Sequence, residues 1–296
     1  MTRAAKLAAP TQIQHDLAKA RHLQEAHCGS KKLLDEYPDF YSLALHDLEC
    51  GDCATMKARK GPDLKDKPRR SGPSRAHPGT ALHIDWLGKK KLGEEAIDRR
   101  AWPALDGTAD ALLIVGEFST SCVVCSAQDT TAATVISLLH SVQAGGPKIT
   151  RLRAENEFNS KELRDWLSNN DTRTEFSPPR EPESNGKAES GVGYIKQTAR
   201  ALQSTAGADL RYRHLAMEWV AIVHNNPTCS AIQGRLATSY AWDPAPGQWT
   251  RLLQPPWGCI AFSIAGKDSV EDTTNQHRAT AGIFVGHSKT SPANGS

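Results

Sequence analysis

Ala81-Leu82-His83-Ile84-Asp85-Trp86-Leu87 and Ala111-Leu112-Leu113-Ile114-Val115 decide the fold class of this chain. The first alternates well enough for a strand. The second is a short continuous apolar run, the pattern of a strand buried on both faces. Ser121-Cys122-Val123-Val124-Cys125-Ser126 is a natural partner for it across a short connection. Working outward, the spacing predicts a helix over 131–142, a stop at Gly145-Gly146-Pro147, a short strand at 149–154 and a helix over 160–169. Beyond a Pro-rich loop at 177–182, helices are predicted over 186–204 and 214–224. Strands interleaved with helices make an α/β chain.

The flanks have a different character. Residues 13–34 carry sparse apolar residues at helical spacing, with His15, His22 and His27 among them, and Tyr37-Pro38-Asp39 closes the segment. Cys50-Gly51-Asp52-Cys53 reads as a tight knuckle. From Lys57 to Arg75, Lys and Arg alternate with Pro, Gly and Ser, which predicts a solvated basic linker suited to contacting phosphates. From Asn226 the chain is rich in Pro, Gly and Trp, with strand candidates at 259–264 and 282–285. The predicted organisation is a small helical module at 1–56, a linker at 57–78, an α/β core at 79–225 and a short β-rich segment at 226–296.

Composition narrows the functional classes. With 23% charged residues and no apolar run near the roughly 18 residues a span needs, the sequence predicts a soluble globular protein. The formal net charge of +3 is small, so any affinity for nucleic acid must come from local basic runs. Seven cysteines, an odd number without a secretory signal, point to reduced thiols or metal ligation in a nuclear or cytoplasmic setting.

His22-x4-His27 followed by Cys50-x2-Cys53 supplies two imidazoles and two thiolates, the donor set of a tetrahedral structural zinc. Histidines on a solvated face and small buried cysteines are the alternative. The segment is too poor in apolar residues to fold unaided, which favours zinc at His22, His27, Cys50 and Cys53. Cys122-x2-Cys125 differs, because residues three apart on a strand point to opposite faces, and it reads as packing.

Three acids stand out by context: Asp85 near the end of a strand, Glu155 just past another, and Glu189 at the start of a helix. Carboxylates brought together from separate elements are what magnesium or manganese requires, and what phosphoryl transfer on a DNA backbone uses. Along the helix, Val192, Ile195, Ala199 and Leu202 form a core stripe, with Glu189, Lys196 and Arg200 on a neighbouring one.

These features together resemble the integrase region of copia-type LTR retrotransposon polyproteins. His-x4-His, Cys-x2-Cys and the basic Lys57-x-Arg59 look like the segment before the integrase core. Asp85, then Glu155, then Asn185-Gly186-Lys187-Ala188-Glu189, with the last two acids 34 positions apart, is similar to the core pattern itself. Weaker matches at 242–258 and 281–287 resemble the segment after the core.

The resemblance implies a ribonuclease-H-like mixed sheet with flanking helices and a catalytic metal triad of Asp85, Glu155 and Glu189. It further implies DNA contacts from Lys196, Arg200, Lys57 and Arg59, and partners in element ends, target DNA and other copies of the chain. Where the family carries aspartate this chain has Glu155, and the loop after it is about two residues shorter. The added methylene predicts weak strand transfer, and Glu157 becomes the ligand if the loop re-registers. Two further expectations are kept: a non-catalytic nucleic-acid-binding remnant of the same fold, and a zinc-containing protein-interaction module.

Overall fold

The computed structural model describes residues 12–27, 33, 37, 50–56, 80–88, 104, 107–108, 110–118, 120–144, 146–177, 185–225, 228–229, 235–236, 256–264 and 279–285. The basic linker, with Lys57 and Arg59, and most of the segment after residue 225 lie outside these residues.

The centre is a five-stranded mixed sheet of β1 (Ala81–Trp86), β2 (Asp110–Gly116), β3 (Cys122–Ala127), β4 (Arg151–Ala154) and β5 (Arg173–Phe176), in the order β3-β2-β1-β4-β5. β1, β2 and β3 form an antiparallel meander, and β4 and β5 run parallel to β1. This α/β architecture with flanking helices is compatible with a ribonuclease-H-like fold. β5 has no counterpart among the predicted strands. Its Arg-Thr-Glu-Phe sequence has neither an apolar run nor a buried residue, so only pairing with β4 identifies it.

Alternation along β2 divides the core between the two faces. Leu113 and Val115 pack under α5 (Gly186–Ala206) and α6 (Arg213–Asn225), with Ile195, Leu202 and Trp219. Leu112 and Ile114 pack under α3 (Ala132–Ala144) and α4 (Lys161–Asn169), with Leu139, Leu163 and Leu167. Ser160 caps α4, its hydroxyl accepting from the Leu163 amide at 3.1 Å. Cys122 joins the first cluster and Cys125 packs against the second, the opposite-face arrangement expected of that pair.

Gly191 lets α5 approach the sheet: a Cβ there would lie 3.0 Å from Leu113 Cδ2 and 3.1 Å from Val115 Cγ2. Both flanking segments reach the core. Ala26, just past α1 (Gln12–Gln24), is buried in the α5/α6 cluster. From the other side come Trp257 and Phe284, the latter edge-on to Trp219 at 5.1 Å. Phe284 follows β9 (Ala279–Ile283), which pairs with β8 (Ile260–Ile264), close to the predicted strands. β6 (Thr228–Cys229) and β7 (Arg235–Leu236) form a separate two-stranded pair. No described helix is long and apolar enough to cross a membrane.

Candidate metal centres

The first centre lies at the junction of α1 and α2 (Gly51–Met56). His22 sits in the last turn of α1, and His27 follows it in a left-handed conformation, φ 57°, that turns its ring back towards His22. Both rings are buried, meeting edge to face at 5.0 Å. Cys53 Sγ lies 3.3 Å from His22 Nε2 and 3.4 Å from His27 Nδ1, and Cys50 Sγ is 3.4 Å from His27 Nδ1. Zinc–sulfur bonds of about 2.3 Å and zinc–nitrogen bonds of about 2.05 Å, opened to a tetrahedral angle, separate sulfur from nitrogen by about 3.6 Å. One donor atom from each of the four residues lies within 4.8 Å of all the others. The set predicted from spacing is therefore assembled, and its geometry and chemistry fit a metal such as zinc.

The second centre follows from strand register. His83 pairs with Arg153 across parallel β1 and β4, so two residues further on Asp85 comes beside Glu155. Glu155 has extended backbone and makes no capping bond to the one-turn 3-10 helix that follows, Asn156–Phe158. That turn brings in Glu157. Carboxylate oxygens of Asp85, Glu155 and Glu157 lie within 4.8 Å of one another, an all-oxygen donor set of the kind a hard divalent cation takes.

Asp85 is half-buried, and its Oδ1 accepts from the Trp86 amide at 2.7 Å. Burial raises its pKa to about 7. Glu155 and Glu157 push the same way, against the Trp86 hydrogen bond and the Lys196 charge. Like charges confined beside a half-buried carboxyl favour binding of either a proton or a cation.

The structure brings Asp85 and Glu155 together with Glu157 beside them, and Glu189 lies outside this 4.8 Å group. Asn185, the residue before α5, anchors the start of that helix on β1. It is fully buried and its side chain is tied to β1: Oδ1 lies 3.2 Å from His83 Nδ1, and Nδ2 donates to the Ile84 carbonyl at 3.1 Å. With the start of α5 held there, the charge of this helix that reaches Asp85 is Lys196, in the middle of the helix. Arg200 is exposed one turn further along.

The residues around His83 escaped the sequence reading. Burial pushes its imidazole down to about 4, against the Asn185 hydrogen bond and the Glu117 charge, so the ring is neutral near pH 7. Asn185 uses its amide on Ile84, so His83 Nδ1–H donates to Asn185 Oδ1. Alongside, Glu117 pairs with Arg151, Arg153 Nε donates to Glu175 at 2.5 Å, and Lys187 donates to the Glu117 carbonyl. Sequence offered one hint, the fixed two-residue step from His83 to Asp85, which places both side chains on one face of β1.

No family model matches this chain, and no curated protein matches it.

Proposed function

We propose that this chain is a DNA-recombining polynucleotidyl transferase, the integrase region of a copia-type LTR retrotransposon polyprotein. The observation that supports it best is the convergence of Asp85, Glu155 and Glu157 at neighbouring strand ends of a mixed sheet in the order β3-β2-β1-β4-β5. In this reading the carboxylates hold magnesium or manganese. The cations supply Lewis-acid stabilisation of the attacking and leaving oxygens of a phosphodiester. Asp85 and Glu155 fix the position of that charge, while Lys196 neutralises a DNA phosphate beside it and Arg200 holds the strand further along α5. The zinc head and the basic linker add contacts to element ends, and further copies of the chain complete the assembly on target DNA.

The test is cleavage and joining of a labelled duplex carrying element-end sequence, in magnesium and in manganese, by the natural chain, Glu155→Asp, Asp85→Asn, Glu157→Gln and Glu189→Gln. Metal-dependent cleavage, increased by Glu155→Asp and abolished by Asp85→Asn, is the expected result. Cleavage that survives Asp85→Asn overturns the assignment. Comparison of Glu157→Gln with Glu189→Gln identifies the third carboxylate. A second reading, a DNA-binding remnant of the same fold, is favoured by the place of Glu189 outside the carboxylate group. It predicts salt-sensitive DNA binding with no cleavage by the natural chain or by Glu155→Asp.

A further inference from the structure

The metal-binding head does not stand apart from the core. It meets the last turn of α5, the helix that carries Glu189, Lys196 and Arg200, through Ser204 and Thr205. His27 directs Nδ1 at the two cysteine sulfurs and places Nε2 2.9 Å from the hydroxyl of Thr205. That hydroxyl is also 2.8 Å from Asp52 Oδ2, and Ser204 donates to the other oxygen of the same carboxylate at 2.5 Å. Asp52 lies between the two cysteine ligands.

The hydrogen-bond roles follow from the metal reading, on which this inference rests. An imidazole that ligates through Nδ1 must carry its proton on Nε2. Nε2–H then donates to Thr205 Oγ1, leaving the hydroxyl hydrogen to donate onward. Asp52 Oδ2 at 2.8 Å and the Ala201 carbonyl at 3.0 Å are the acceptors within reach.

We infer that Thr205, a residue of the core helix, is an outer-shell component of the head's metal centre, relaying the Asp52 carboxylate to the ligand His27. Such partners fix the tautomer and ring orientation of a metal-bound histidine and increase its basicity. Here the relay leaves the head, passes through α5 and returns to the knuckle between the two thiolates. Metal binding and order in the last turn of α5 are therefore thermodynamically linked, each favouring the other by the same factor. Ala26, buried in the core cluster with Leu202, supplies the apolar part of the same junction.

The experiment uses the full chain with Thr205→Val, which keeps the side chain's shape and removes the hydroxyl, and Thr205→Ser, which retains it. Thr205 is exposed, so neither variant disturbs the buried core. Zinc affinity is read by competition with a chromophoric chelator, and order in α5 by hydrogen exchange over residues 201–206, with and without zinc. Thr205→Val is expected to bind zinc about 10- to 100-fold more weakly, with Thr205→Ser within about threefold of the natural chain. Removing zinc is expected to lower protection of 201–206 in the natural chain and in Thr205→Ser, with little change in Thr205→Val.

If the natural chain binds about one zinc but Thr205→Val binds it equally well, or if 201–206 ignores the metal, the relay is wrong and the metal reading stands. Failure of the natural chain to bind zinc, or zinc loading that survives a Cys50→Ser, Cys53→Ser double variant, overturns both.

Discussion

Replacing Asp85 with asparagine should stabilise the protein in buffer free of magnesium and manganese. The carboxyl is held in a place that opposes its ionisation: burial lifts its pKa from 3.8 to about 7, with Glu155 and Glu157 adding to the effect. Taken whole, that rise corresponds to at most about 4 kcal/mol at 1.36 kcal/mol per pKa unit. Asp85 retains some solvent exposure, and screening reduces the expected gain to roughly 1–2 kcal/mol.

The sign follows from linkage. The native state binds this proton more tightly than the unfolded chain does, so the contribution of Asp85 to stability falls as pH rises from about 4 to about 7, and the penalty is complete above that. Asparagine keeps an oxygen for the Trp86 amide and carries no charge. Thermal unfolding at pH 8 should therefore give a melting temperature roughly 2–8 °C higher for Asp85→Asn than for the natural chain. The gap should close towards pH 4 to 5. Manganese should raise the melting temperature of the natural chain and leave the variant almost unmoved. A variant no more stable than the natural chain at pH 8, or a gap that widens as pH falls, refutes the reasoning.

Two further outcomes test the packing around this site. Asn185→Ala leaves the His83 Nδ1–H and the Ile84 carbonyl buried without their partner, which should cost about 2–4 kcal/mol in chemical denaturation. An undiminished midpoint would show that α5 is not tied to β1 in this way. Gly191→Val drives two methyl groups into Leu113 and Val115 and should destabilise the core by about 1–3 kcal/mol. A variant of natural stability would show that α5 stands further from the sheet.

Much of the fold was legible because its signals are local. The apolar run at 111–115, the helical pattern at 160–169 and the 3.6-residue stripe of α5 each depend on neighbours a few positions away, and the corresponding elements form within a few residues of their predicted limits. The donors His22, His27, Cys50 and Cys53 were equally legible, since imidazole and thiolate pairs at short spacing have few other uses in a segment so poor in apolar residues. Tertiary structure decided what depends on register and on surfaces distant in sequence. β5 exists because β4 offers it an edge, for its own residues carry no strand signal. Glu157 enters the carboxylate group on a one-turn helix after β4, and Asn185 ties α5 to β1 across 101 positions. Thr205 meets His27 across 178 positions. Periodicity records which face of an element is apolar; which polar groups two such faces bring together is set only when the elements pack.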